Sequence, residues 1–417
     1  MAQLSDDCFA FGGTLLSVDA ALALIAERVV AVVAEETVPL AEAAGRILAH
    51  DLVATMDLPP YANSAVDGYA IAHADLSSDS DTVLPVTGRT AAGHPLGRAI
   101  ERGEAIRIFT GAPMPEGADT VMMQEDCTLS GGKVTMKPGI KLGANRRHAG
   151  EDVSKGGIAQ HAGRRLTPPD LGLAAALGYA RLAVRKGLRV ALLSTGDEVR
   201  EPGTALPPGA IYDANRIMLA SLLRRLGCVV SDLGIIADRE VALTNILAKA
   251  AAEHDLIVTS GGVSTGEEDH VKAAIERLGR LDFWRLAIKP GRPVALGQVK
   301  GVPLVGLPGN PVAAALTFAI LARPLILRLS GAVEPAPQTF PVTAAFAYKK
   351  RAGRREYVRV TLARDGATLT ARKYPKDGAG ILSSVVNCDG FAIVDEAVTQ
   401  LAPGTIVEFL PFAGLIA

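Results

Sequence analysis

With 417 residues, 49% of them hydrophobic and 21% charged, the chain has the composition of a folded globular protein and exceeds what one hydrophobic core supports, so two to four domains are expected. A formal net charge of −1 excludes general electrostatic attraction to nucleic acid, so any phosphate site must be local. Cys8, Cys127, Cys228 and Cys388 lie far apart with no C-x-x-C pair, which argues against a zinc site or disulfide framework and for reduced thiols in a cytoplasmic protein.

The N-terminus lacks the basic region and apolar core of a signal peptide, so secretion is not expected. Residues 18–34, rich in alanine, leucine and valine after the cap candidate Ser17, read as a helix that packs. From about residue 54 to 141 the texture changes to β-like runs at 83–86, 105–109, 120–123 and 133–137, separated by Gly, Pro and Asp turns. Helical character returns at 169–177 after Thr167-Pro168-Pro169, so the β module can be an insertion into a helical domain. Residues 188–330 then alternate strands (190–193, 229–236, 256–258, 302–306) with helices (215–226, 241–252, 271–278, 311–329). In the first of these helices Met218, Leu219, Leu222, Leu223 and Leu226 make one apolar face. The alternation predicts a mainly parallel sheet with helices on both faces and a ligand site beyond the carboxyl ends of its strands. The longest apolar helix, 312–322, is expected to be interrupted at Arg323-Pro324, to be too short to cross a bilayer, and to be buried. A segment with three prolines, 333–341, reads as a linker, and runs at 340–348, 356–362, 368–373, 391–394 and 405–409 suit a small β-barrel.

The most informative stretch runs from Asp255 to His270, where an apolar strand leads into Ser260-Gly261-Gly262-Val263-Ser264 and then Glu267-Glu268-Asp269. Glycine amides can approach a phosphate closely, and acids beside a phosphate call for a cation between them, so the pattern suggests Mg²⁺ or a hydrogen-bonded oxyanion. A strand-to-helix turn explains the same residues structurally. Ser194-Thr195-Gly196-Asp197-Glu198 also follows a strand and reads as either a capped turn or a site edge. The pairs Asp67-Gly68 and Thr110-Gly111 mark turns, and Asn145-Arg146-Arg147-His148-Ala149-Gly150-Glu151-Asp152 is either a solvated ion cluster or an anion site. Lys289-Pro290-Gly291-Arg292 places two cations around a rigid bend, either ordinary solvated surface charges or a site that neutralises a phosphate-like oxyanion, and Leu307-Pro308-Gly309-Asn310-Pro311 is either an anion site at a helix N-terminus or helix initiation alone. No H-E-x-x-H, P-loop or dinucleotide G-x-G-x-x-G motif occurs, which sets aside the corresponding zinc-hydrolase and nucleotide chemistries.

Six of these motifs, in chain order, resemble the MoeA family of molybdopterin molybdenumtransferases, related to the E domain of gephyrin: Ser64-Ala65-Val66-Asp67-Gly68-Tyr69-Ala70, Thr110-Gly111-Ala112-Pro113-Met114-Pro115, Gly150-Glu151-Asp152, Ser194–Glu198, Ser260–Ser264 and Leu307–Pro311. The resemblance spans almost the whole chain. It implies a multidomain α/β plus β architecture: a segmented helical domain (14–53 and 148–187), an inserted β domain (54–147), a three-layer molybdopterin-binding α/β domain (188–331) and a C-terminal β-barrel (332–417). It further implies a homodimer whose cleft lies between one subunit's α/β domain and the other's β domain. The implied reaction consumes molybdate and adenylylated molybdopterin, requires a cation such as Mg²⁺, and releases molybdenum cofactor and AMP. Transient contact with an adenylyltransferase and with apo-molybdoenzymes follows, with no role for nucleic acid or membrane. On this resemblance Glu198, Asp238 and Asp269 hold or orient the cation. Ser260, Gly261, Gly262, Ser264, Pro308 and Pro311 bind substrate or phosphate, and Arg285, Lys289 and Arg292 offset anionic charge. Asp67, Thr110 and Asp152 form the partner side of the cleft. Two positions depart from the family pattern: Arg285 stands where lysine is frequent, and Val66 where methionine is usual. An adenylyltransferase sharing the Ser-Gly-Gly segment, or a gephyrin-like scaffold, are the alternatives.

Overall fold

The computed structural model describes residues 15–261, 270–291, 293–333, 336–366 and 368–416, and three six-stranded sheets organise them. The first sheet is the β module, in the order Thr120–Met123, Gly68–Ile71, Ala105–Ile108, Thr82–Thr90, Lys133–Met136, Cys127–Ser130. Gly68–Ile71 is buried along its length because it is paired on both sides, and a Cβ at Gly68 would sit 1.9 Å from Met122 O. Before and after this module the chain returns to one core, where Val38, Leu48 and Leu52 meet Leu166, Leu177, Leu182 and Val184. The strands Glu35–Pro39 and Arg181–Arg185 pair across it, so the flanking pieces that the sequence left unconnected do meet.

Glu104 is the buried carboxylate of the β module, held by Arg98, Thr87 and the Glu101 amide. The Arg98 guanidinium, followed by the Thr87 hydroxyl and the Glu101 amide, outweighs burial and lowers its pKa from 4.5 to about 2. A carboxylate depressed in the folded state stabilises above its unfolded pKa, and that contribution disappears as pH falls from 4.5 towards about 2. Acid unfolding followed by circular dichroism should show the wild type losing stability through this window, whereas E104Q, less stable at neutral pH, should lack that component.

In the second sheet the order is Val229–Ile236, Arg189–Thr195, Leu256–Ser260, Val302–Leu307, Pro293–Val299, Gly279–Arg285. The first four strands are parallel, as their apolar runs and intervening helices predict. The last two form an antiparallel ladder from Gly279↔Val299 to Arg285↔Pro293 that the sequence did not reveal. Gly279–Arg285 is the sheet edge and carries Arg280 and Asp282, paired at 3.2 Å; these charges break the apolar signature of a strand.

The Val18–Arg28 helix, capped by the Ser17 hydroxyl, is shorter than expected and buries Val18, Ala21 and Ile25 in the α/β core. It packs there against the long helix that begins at Pro311. Contrary to expectation, that helix is not interrupted at Arg323-Pro324. Pro311–Thr317 passes through a wide π turn, Phe318–Ala322, into Arg323–Leu329, and the Arg323 amide donates to Phe318 O. The wide turn accommodates the proline's missing amide hydrogen. Its 19 residues meet the length and apolarity of a membrane span, yet 89% of the apolar window is buried inside the protein, which marks a core helix.

The third sheet closes into a barrel. Arg355–Asp365, Thr368–Lys373, Phe340–Ala344, Ile406–Pro411 and Gly390–Val394 pair in turn, and the last returns to the first. Ile288–Lys289, from the α/β domain, adds a parallel strand beside Arg355 and Glu356, so the two domains share one sheet.

Candidate active site

The Arg189–Thr195 strand lies between Val229–Ile236 and Leu256–Ser260, so the chain leaves it first to one side and later to the other. A crevice opens where connections diverge at the carboxyl ends of such strands. The registers Ser194↔Ser260 and Ser260↔Leu307 align the three turns that follow, and the Gly261 amide donates to Leu307 O at 3.2 Å. The resulting cleft, about 300 Å³, is bordered by Ser194, Thr195, Glu198, Asp213, Asn215, Ser260, Gly261, Gly309, Asn310, Pro311 and, from the barrel domain, Gly380. Gly261 has φ +82°, and a Cβ there would lie 2.9 Å from Thr195 O; the turn needs a residue without a side chain.

No lysine or arginine borders this cleft among the described residues. Its donors are hydroxyls: Ser194 Oγ and Thr195 Oγ1 are buried without a hydrogen-bond partner, a costly arrangement that a bound polar ligand would relieve. The Pro311 helix terminus contributes less to an anion than its sequence suggests, because Val312 N–H already donates to Ala379 O.

A second cleft of about 220 Å³ adjoins the first through residues 378–380, between the Lys289-Pro290-Gly291 bend and the barrel. It gathers Lys289, Arg359 and Lys373 with Tyr348, Tyr357 and Tyr374. Lys289 Nζ lies 3.3 Å from Glu356, a buried carboxylate that also accepts from Tyr348 Oη and Arg354 Nε at 2.6 Å each. Burial alone would raise the Glu356 pKa, but the Tyr348 and Arg354 hydrogen bonds and the Lys289 charge lower it below the ordinary value. Arg359 is buried and its Nε has no partner, which makes it a donor for an oxyanion. Sequence reasoning found Lys289 and missed Arg359 and Lys373, because cations in short barrel strands read as the solvent face. The one available signal was Arg359 between the apolar Val358 and Val360.

A third arrangement lies on the β module. Asp67 Oδ1 accepts from both the Thr110 amide and the Thr110 hydroxyl, each at 2.7 Å. Those bonds, the amide's first, lower the pKa of this half-buried carboxyl and keep it ionised. The 145–152 segment is tied close by, since Arg146–Arg147 pairs with Asn63–Ser64 and the Ala65 amide donates to Asn145 O.

Of the residues singled out in the sequence, Glu198, Ser260, Gly261 and Pro311 border the first cleft and Lys289 the second. Pro308 precedes the Gly309 turn. Asp238 is half-buried two residues beyond the Val229–Ile236 strand and borders neither cleft. Arg285 is exposed at the end of the edge strand, also outside both. Asp67 and Thr110 pair with each other, Asp152 is exposed on a neighbouring turn, and none of the three reaches either cleft within one chain. Gly262, Ser264, Asp269 and Arg292 lie outside the described residues. Among the described residues no three His, Cys, Asp or Glu side chains gather as a metal-binding group.

Residues 16–178 match the MoeA N-terminal region (domain I and II), 191–328 a probable molybdopterin binding domain, and 341–412 the MoeA C-terminal region (domain IV). The chain belongs to the MoeA family. A molybdopterin molybdenumtransferase of Haemophilus influenzae is 38% identical over 405 residues, covering 96% of this chain and 100% of that protein. Molybdopterin molybdenumtransferase 2 of Mycobacterium tuberculosis is 36% identical over 382 residues, 89% of this chain and 94% of its own. The crystal structure of a molybdopterin biosynthesis MoeA protein from Pyrococcus horikoshii superposes with a TM-score of 0.81 at 28% identity, covering 95% of this chain and 100% of that one. MoeA membership thus embraces the α/β cleft, the barrel wall and the β module together.

Proposed function

We propose that this protein acts in molybdenum cofactor biosynthesis, cleaving the pyrophosphate bond of adenylylated molybdopterin as molybdate enters the pterin, with release of AMP. The observation that carries this reading is the adjacency of two unlike clefts. One offers unpartnered hydroxyls for a phosphate group, and the other offers Lys289, Arg359 and Lys373 for an oxyanion. Family membership supplies the substrate class.

Within this reading Ser194, Thr195, Ser260 and the Gly261 turn orient the phosphate, and Tyr348, Tyr357 and Tyr374 wall the oxyanion pocket against water. Fixed donors cost no reorganisation as charge develops on the phosphate oxygens. The hard oxygen donors of Glu198 and the Ser194 and Thr195 hydroxyls suit Mg²⁺, which keeps several waters and needs only one or two carboxylates; Asp238, outside the cleft walls, belongs to this set by family resemblance alone. When bound, the ion would neutralise phosphate charge. Asp269 belongs to the same proposed set. Arg285, Arg292, Gly262, Ser264 and Pro308 are proposed to support the same anion site.

We place Asp67, Thr110 and Asp152 at the cleft of a second copy, in a cytoplasmic homodimer. Their distance in sequence and their absence from the walls of both clefts in one chain support this placement. AMP release from purified adenylylated molybdopterin, with and without molybdate and Mg²⁺, tests the reaction; release requiring both is expected, and AMP formation dependent on ATP would indicate an adenylyltransferase. D67N should reduce release about a hundredfold by removing a pre-oriented charge. Mixing D67N subunits with G261V subunits should restore part of the activity, since a mixed dimer contains one cleft free of both substitutions.

A further inference from the structure

We infer that Asn215 is a positioning residue that sets the direction of the Ser260 hydroxyl proton, and so turns the first cleft into a site for a phosphate monoester or diester oxygen. The inference rests on the assignment of this cleft to a phosphate-bearing substrate. Asn215 sits in the first turn of the Ala214–Arg225 helix, two residues after the cap Asp213. Its Nδ2 donates to Gly309 O at 2.8 Å and to Ser260 Oγ at 3.0 Å. A carbonyl oxygen can only accept, so the atom facing Gly309 must be the amide nitrogen, and the side chain cannot be turned the other way. Both amide protons are then engaged.

The consequence falls on Ser260. Its oxygen receives the Asn215 proton, so its own O–H is left to donate elsewhere, and Ser260 borders the cleft. Ser194 Oγ and Thr195 Oγ1 line the same space, buried and unpartnered, and give independent evidence that a polar ligand completes these bonds. Asn215 also ties together the two neighbouring turns, after Leu256–Ser260 and after Val302–Leu307, that border the cleft. It is itself held rigid. The next residue, Arg216, is 4% exposed and bonds Asp213 at 3.0 Å, Asp232 at 2.5 Å and Glu201 at 2.6 Å, which fixes the start of the helix.

A group that acts through the Ser260 proton must lose its influence once that proton is gone. The test is a double-mutant cycle of N215A, S260A and N215A/S260A in the full-length protein. Inorganic phosphate binding is followed by ³¹P relaxation, alongside the KM and kcat for AMP release. N215A and S260A should each weaken phosphate binding about tenfold or more, the loss of one hydrogen bond to a charged group. The double variant should be no weaker than S260A, and N215S, which can still donate one proton, should recover part of the loss. The effect should fall on KM more than on kcat. Unchanged binding in N215A, an undiminished N215A penalty in the S260A background, or no phosphate binding by the wild type would each overturn the inference. If the cycle behaves as expected while the wild type releases no AMP, the proton assignment stands and the transferase reading falls.

Discussion

Replacing Arg216 by leucine should be the most damaging single change outside the sheet cores. The guanidinium is 4% exposed and is the common partner of Asp213, Asp232 and Glu201, which come from the helix cap, the adjoining strand and the loop beyond Glu198. Removing one side of a buried ion pair leaves the other uncompensated, at a cost of about 3–5 kcal/mol. Asp213 is buried with it, whereas Asp232 and Glu201 are 31% and 47% exposed and regain water once unpaired, so the cost falls mainly on the Asp213 pair. Calorimetry of R216L should show the α/β domain unfolding well below the wild-type temperature, and R216K, which keeps a charge but not the planar fork, should fall between them. An R216L melting curve superimposable on the wild type would show that solvent already screens this cluster.

The second large effect is expected at Gly261. Valine there faces two separate obstacles: a β-branched residue is a genuine outlier at φ +82°, and its Cβ would start 2.9 Å from the Thr195 carbonyl. The turn must move, and with it Ser260 on one side of the cleft and Thr195 on the other. A displacement of about 1 Å at a reacting centre costs on the order of a hundredfold in rate, whereas the backbone strain costs about 1–2 kcal/mol of stability. G261V should therefore fail in AMP release long before it fails to fold. Gly309 supplies the control. It borders the same cleft, but the nearest atom to an added Cβ is Gly261 Cα at 4.0 Å, so G309A should retain most activity. Equal losses in the two variants would mean that the Gly261 conformation is not what the cleft depends on.

Much of this architecture was legible before the structure because its signals are local. Strand 229–236 falls exactly where its apolar run does, and the Ala214–Arg225 helix follows the Met218, Leu219, Leu222, Leu223 stripe. The Ser260-Gly261 and Ser194–Glu198 turns could be assigned to strand ends because glycine and hydroxyl residues directly follow buried runs. What escaped notice depends on tertiary partners. The Gly279–Arg285 edge strand carries charges that its neighbour across the ladder makes tolerable, and Arg323-Pro324 continues a helix because a π turn precedes it. Asn215 was invisible for the same reason. In sequence it is one polar residue near a helix start, and only the meeting of two distant turns on its amide gives it a role. Arg359 became a site residue only when barrel closure brought it opposite Lys289.

The strand at Ile288–Lys289 has a bearing on how such a protein can be cut or recombined. It is covalently part of one domain and hydrogen-bonded into the sheet of the next, with Lys289 set beside Glu356 and Gly380 reaching back to the hydroxyl-lined crevice. A chain truncated after the long helix would keep every glycine-rich turn, yet it would lose the acid that holds Lys289, the Arg359 wall and one side of the crevice. Gene fusions or domain exchanges placed at the proline-rich 333–341 junction therefore divide the sequence at a convenient point while splitting a single binding surface. Productive exchanges would have to carry the 288–291 bend together with the barrel that receives it.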